Sequence, residues 1–154
     1  MENNVKTLPA EELFPQLLSL LEHTDAVPLT VTGSSMMPFL QPERDTVYLK
    51  KQDTPIKPGD MILYKRNNGQ YILHRVYRVA PDGLQLIGDG QTGIEPGVSP
   101  DSVVAGVAAV RRKGKLLRPG HPVWFFYEKL WLRIIPLRPR IRGLMRRIRR
   151  IKGK

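Results

Sequence analysis

Residues 60–90 read DMILYKRNNGQYILHRVYRVAPDGLQLIGDG. Two runs rich in aliphatic, β-branched and aromatic residues, MILYKR and QYILHRVYRVA, flank Asn67-Asn68-Gly69, a hairpin-turn signal. Pro81-Asp82-Gly83 is a second tight turn, and LQLI then runs as a strand into Gly88-Asp89-Gly90. Upstream, VPLTVTG alternates from Val27 and stops at a glycine, DTVYLKK alternates again, and KPGD is a turn. Downstream, SVVAGVAAVRRKGKLL reads as one or two closing strands. Six or more short strands with dense turn signals predict a mainly β domain, a curled sheet or barrel-like sandwich.

Helical patterns lie at both ends. AEELFPQLLSLLEH places Leu13, Leu17, Leu18, Leu20 and Leu21 on a helical face, with Pro15 at an early turn or a kink. From Pro122 the stretch WFFYEKLWLRII reads as a short aromatic helix. Beyond Pro136 and Pro139, Leu137, Ile141, Leu144, Ile148 and Ile151 recur at steps of four and three, with arginines filling the other faces. The expected organisation is a short N-terminal helix over 1–26, a β-rich domain over 27–118 and an aromatic, basic amphipathic tail over 119–154.

Charge follows the same division. Met1 to Val110 holds nine Lys/Arg against thirteen Asp/Glu, whereas Arg111 to Lys154 holds sixteen against one. A mildly acidic body with so basic a tail points to an anionic surface, a membrane or, less favoured, nucleic acid; the remaining alternative is a tail that packs on the domain or stays solvated. The chain has no cysteine, and its three histidines lack ligand spacing, so neither a thiolate site nor a zinc site is expected, nor any other cofactor. No secretory signal is visible, and no run reaches the roughly 18–20 apolar residues that span a bilayer.

Three segments could carry chemistry. Ser35, in Gly33-Ser34-Ser35-Met36-Met37-Pro38, lies between two predicted strands, where a hydroxyl can be presented outward and backbone N–H groups can face an oxyanion. The plain alternative is a Gly-Ser turn. His74 sits mid-strand, either as an ordinary strand residue or as an imidazole suited to take a hydroxyl proton. Asp89, between two glycines, is a turn residue or the group that orients that imidazole.

Together these segments resemble the signal-peptidase and self-cleaving-repressor serine peptidases. Gly33-Ser34-Ser35-Met36-Met37-Pro38 is similar to their G-x-S-M-x-P nucleophile box, and Gly59-Asp60-Met61-Ile62-Leu63-Tyr64 to the G-D-hydrophobic segment that follows it. His74-Arg75-Val76 resembles the H-R-V box of the histidine-type signal peptidases, and Gly88-Asp89-Gly90 their G-D-N box. The resemblance covers roughly Val27 to Val110. It implies the curled β-sheet fold of that clan, Ser35 as nucleophile, His74 where other members place a lysine base, and Asp89 as support for the histidine. Gly33, Ser34, Met36 and Pro38 would shape the box and its oxyanion site.

The chain departs from the pattern in three ways. Gly33 stands where many signal peptidases carry a serine that helps bind the oxyanion, Gly90 replaces the usual Asn, and no N-terminal membrane anchor is apparent. The expected activity is Ser-His cleavage of a leader or signal-like peptide segment. The alternative is an inactive peptide-binding module of the same fold. Without an anchor, the tail is expected to hold the protein to the cytoplasmic face of an anionic membrane through Trp124, Phe125, Trp131, Arg138, Arg142, Arg146 and Arg149. Oligomeric state is left open.

Overall fold

The computed structural model describes residues 10–153. Helix α1 (Ala10–His23) buries Phe14, Leu17 and Leu21, which recur at steps of three and four along one face. It runs unbroken through Pro15. The part of the expected 1–26 segment before Ala10 lies outside the described residues.

Eight antiparallel strands follow: β1 (Val27–Thr30), β2 (Thr46–Lys50), β3 (Met61–Lys65), β4 (Tyr71–Ala80), β5 (Gly83–Ile87), β6 (Glu95–Val98), β7 (Val103–Arg112) and β8 (Lys115–Leu117). The order across the sheet is β1-β2-β7-β3-β4-β5-β6, with β8 paired to β7 off this path. The mainly β expectation holds. Sequence reasoning did not resolve β6, whose four residues are Glu-Pro-Gly-Val. Proline and glycine are poor strand formers, and only the pairing of Leu84 with Val98 and of Leu86 with Glu95 makes this segment a strand.

Register sorts the side chains onto two faces. Met61 pairs with Arg75 and Leu63 with Leu73, and this face meets the larger core, built on Phe14, Leu17, Met36, Phe39, Leu40 and Trp131. Ile62 pairs with His74 and Tyr64 with Ile72, and Ile62 and Tyr64 join Val76, Leu84 and Leu86 in a second cluster. β5 ends at Ile87, opposite Arg75, so Tyr71 to His74 have no strand partner on that side of β4.

The aromatic C-terminal stretch forms α2 (Pro122–Phe125), a π turn over Phe126–Leu130 and a 3-10 turn over Ile135–Leu137, before α3 (Arg138–Lys152). Trp124, Tyr127 and Trp131 are buried in the larger core, stacked at angles on one another and on Phe39. Among the described residues, no helix is long and apolar enough to cross a membrane.

Candidate active site

Ser35 lies in the loop after β1 and is half-buried. Its neighbour Met36 is inserted in the larger core, which anchors the box beside the sheet. The box is held from two other directions. Arg112 donates to the carbonyls of Phe39 (2.7 Å) and Pro38 (3.4 Å), and the Gly90 N–H donates to the Ser35 carbonyl at 2.8 Å. The Ser35 N–H itself donates to no backbone acceptor among the described residues, so it is free to meet an oxyanion. Ser34 is exposed and Pro38 half-buried. A Cβ at Gly33 would meet nothing within 4 Å.

Ser35 opens on a cavity of about 410 Å³ whose lining includes Leu13, Leu29, Val31, Leu63 and Leu73. Phe14 and Tyr71 also line it, stacked on each other with ring centres 3.8 Å apart. The cavity lies at the unpaired edge of β4, because Tyr71, Ile72 and Leu73 form one of its walls.

His74 is 3% exposed, and its ring lies against Tyr64, with Nδ1 3.4 Å from the phenol oxygen. Burial first, and the Arg66 charge second, push its pKa down to about 4, so the ring is neutral near pH 7. The Tyr64 hydroxyl donates to Glu95, which Arg66 holds through two hydrogen bonds at 3.1 and 2.8 Å. Burial, then the bond to Glu95, raises the Tyr64 pKa, so the phenol stays protonated. Its one proton goes to Glu95, so His74 Nδ1 can hydrogen-bond the phenol oxygen only as a donor, and in that tautomer Nε2 is the acceptor. Among the described residues no buried side-chain polar atom lacks a partner, yet Nε2 has no protein partner. Nε2 is therefore the part of the ring that solvent still reaches. No hydrogen bond joins it to Ser35.

Asp89 is not the group that orients the imidazole. Its carboxylate takes two hydrogen bonds of 2.8 Å from Arg75, with both side chains fully buried, and its charge reaches His74 only through space. Arg75 also donates to the Gly59 carbonyl at 2.9 Å, tying the Gly59-Asp60 turn to the same network. The departure at Gly90 has a steric reason. A Cβ there would lie 2.8 Å from the Met37 carbonyl oxygen, and one at Gly88 would lie 2.5 Å from that of Ser35. This loop needs glycine because it packs directly on the backbone of the serine box.

The loop is also held from the C-terminal segment. Arg138 donates to the carbonyls of Gly88 (3.1 Å) and Gln91 (2.9 Å), Trp131 Nε1 to that of Asp89 (2.7 Å), and Arg142 to that of Gly90. The expected membrane contacts are corrected accordingly. Trp124, Trp131 and Arg138 are buried and unavailable to a headgroup layer, whereas Phe125, Arg146 and Arg149 are exposed and Arg142 is half-buried. Sequence reasoning missed Tyr64, Arg66 and Glu95. Tyr64 alternates with Ile62 on β3, but nothing in the sequence ties Glu95 to it across 31 positions.

An antiparallel sheet, a serine box packed against it and a strand-borne histidine define the architecture of a peptidase-like β domain. The chain belongs to the Peptidase S24-like family, whose model matches residues 2–101. No curated protein matches the chain.

Proposed function

We propose that the protein is a serine endopeptidase that cleaves a leader or signal-like segment, with Ser35 as nucleophile and His74 as general base. The observation that carries this reading is the position of Ser35, which opens on an apolar cavity at the unpaired edge of the strand that carries His74. A peptide laid along the unpaired edge of β4 would add main-chain hydrogen bonds there and put an apolar side chain into the cavity beside Ser35. His74 is buried against Tyr64 on the sheet face opposite to Arg75, so taking the Ser35 proton requires its ring and the serine loop to be brought together around the edge of β4 when substrate binds.

Ser35 Oγ attacks the scissile carbonyl carbon as its proton passes to Nε2, and the oxyanion accepts from the Ser35 N–H. The tetrahedral intermediate collapses as Nε2 protonates the departing amine. Water, deprotonated by the same nitrogen, then attacks the acyl ester and restores Ser35.

The test is covalent labelling of the full chain with a fluorophosphonate, with the modified residue identified by mass spectrometry. Labelling at Ser35 is expected, lost in both Ser35→Ala and His74→Ala while circular dichroism shows each folded. Labelling that survives both substitutions would end this assignment. The lack of a Ser35–His74 hydrogen bond favours a second reading, a peptide-binding module of the same fold without turnover. A folded wild-type protein that binds a leader-like peptide along β4 and takes up no fluorophosphonate would establish it.

A further inference from the structure

Helix α3 leaves two things uncovered side by side. Its first turns are docked, with Arg138 fully buried, Ile141 packed on the larger core and Arg142 bonded to the Gly90 carbonyl. Its later turns expose Leu144, Ile148 and Ile151, and Leu137 is exposed just before it; these recur at helical spacing as one apolar stripe. Arg140, Arg146, Arg147, Arg149 and Arg150 are exposed around the stripe, and none of them makes an ion pair among the described residues.

A cavity of about 640 Å³ opens where α3 meets the loop after β5. It is lined by Gly90, Gln91, Thr92, Gly93, Pro139 and the three arginines Arg138, Arg142 and Arg146. Among the described residues no carboxylate lines it. The buried Asp89 is fully engaged by Arg75, so Arg138 is a buried cation held by backbone carbonyls and the face of the Trp131 ring, without a carboxylate partner among the described residues. Burial of this guanidinium, with Arg75 nearby, lowers its pKa, while the Asp89 charge opposes the shift. Guanidinium groups converging on a concave site without acids suit a phosphate group, which they bind through paired N–H donors.

We propose that this surface docks on an anionic phospholipid membrane, with a headgroup phosphate in the cavity held by Arg142 and Arg146 and the stripe of Leu144, Ile148 and Ile151 sunk into the acyl boundary. The stripe decides between polyanions. A bilayer interface takes apolar side chains and arginines together, whereas nucleic acid would leave Leu144, Ile148 and Ile151 against charge and water. The proposal is independent of turnover at Ser35, because its readout is binding.

The test is flotation of the full chain, near physiological salt, with vesicles of phosphatidylcholine alone and with a third of phosphatidylglycerol. Binding to the anionic vesicles only is expected. Arg142→Gln with Arg146→Gln should weaken it at least tenfold, at about a fivefold contribution per arginine near an anionic surface. Ile148→Gln with Ile151→Gln should weaken it comparably, with millimolar inorganic phosphate displacing little protein. Should Arg142→Gln fail to fold, Arg146→Gln with Arg149→Gln replaces it with the same expectation. Equal binding to both vesicles, or binding indifferent to the arginine changes, overturns the proposal. Release by low millimolar phosphate would assign the cavity to a soluble phosphate. Tighter binding to duplex DNA, unchanged by the isoleucine substitutions, would assign the surface to nucleic acid.

Discussion

Arg75 holds Asp89 through two hydrogen bonds of 2.8 Å, with neither side chain exposed. The pair ties β4 to the loop that carries the Gly90 N–H to the Ser35 carbonyl. Asp89→Asn removes the one buried carboxylate that faces two buried guanidinium groups, Arg75 and Arg138, among the described residues. Breaking a buried pair from one side costs about 3–5 kcal/mol. Urea unfolding of Asp89→Asn, Arg75→Met and the double variant should show two large single losses and a double loss well below their sum. A variant Asp89→Asn that keeps full stability and loses only activity would mean that the carboxylate serves the imidazole instead.

At Gly88 and Gly90 the atoms nearest to an added Cβ are backbone carbonyl oxygens, which cannot swing aside as a side chain can. The Cβ of Gly88→Ala would fall 2.5 Å from the Ser35 carbonyl oxygen, and that of Gly90→Ala 2.8 Å from the Met37 carbonyl oxygen. Real Cβ atoms do not approach so closely, so the loop must lift from the serine box. Each substitution is expected to lose most fluorophosphonate labelling of Ser35 while the sheet remains. At Gly93 a Cβ meets nothing, so Gly93→Ala should label normally. Equal labelling of all three variants would refute the packing argument.

The buried histidine makes stability depend on pH. An unfolded histidine titrates near 6.5, whereas His74 in the native protein titrates at about 4. Above pH 6.5 both states are neutral and His74 costs nothing. As pH falls from 6.5 to 4, the unfolded chain takes up a proton that the native state refuses, and stability falls. Below about 4 the loss levels off at about 3 kcal/mol. Urea titrations at pH 7, 6, 5 and 4 should therefore show wild type losing more stability than His74→Gln, by roughly that amount in total. Parallel pH dependence of the two proteins would mean that the ring is solvated. The acid limb of kcat/KM should likewise centre near pH 4 rather than 6.5.

How much of this was legible in the chain depends on the range of the interactions. The strands of residues 60–90 follow from local alternation and turn residues, and the serine box, His74 and Gly88-Asp89-Gly90 stand out because each is a short contiguous pattern. The partners of those residues are not local. Whether Asp89 turns to His74 or Arg75 depends on pleat parity, because Arg75 projects from the sheet face opposite to its neighbour His74. Trp131 and Arg138 read as surface residues of a basic amphipathic tail. They are buried because their N–H donors reach carbonyls about 40 to 50 positions earlier in the chain. Composition does not encode that pairing.

Gly33 offers the one change expected to raise activity. Its φ is not in the left-handed region, and a Cβ there would meet nothing within 4 Å, so a side chain fits without strain. Position 33 is two residues before the nucleophile, where a hydroxyl can turn toward the oxyanion that the Ser35 N–H otherwise faces alone. A well-placed donor of this kind is worth about 10²–10³ in rate, so even an imperfect one in Gly33→Ser should speed acylation of Ser35 roughly tenfold. Gly33→Ala is the necessary comparison, since it adds the same Cβ and the same loss of backbone freedom without an O–H. Stopped-flow measurement of acylation by an activated ester should find the serine variant fast and the alanine variant close to wild type. If both variants match wild type, the hydroxyl does not reach the oxyanion, and the backbone donor is all that the site uses.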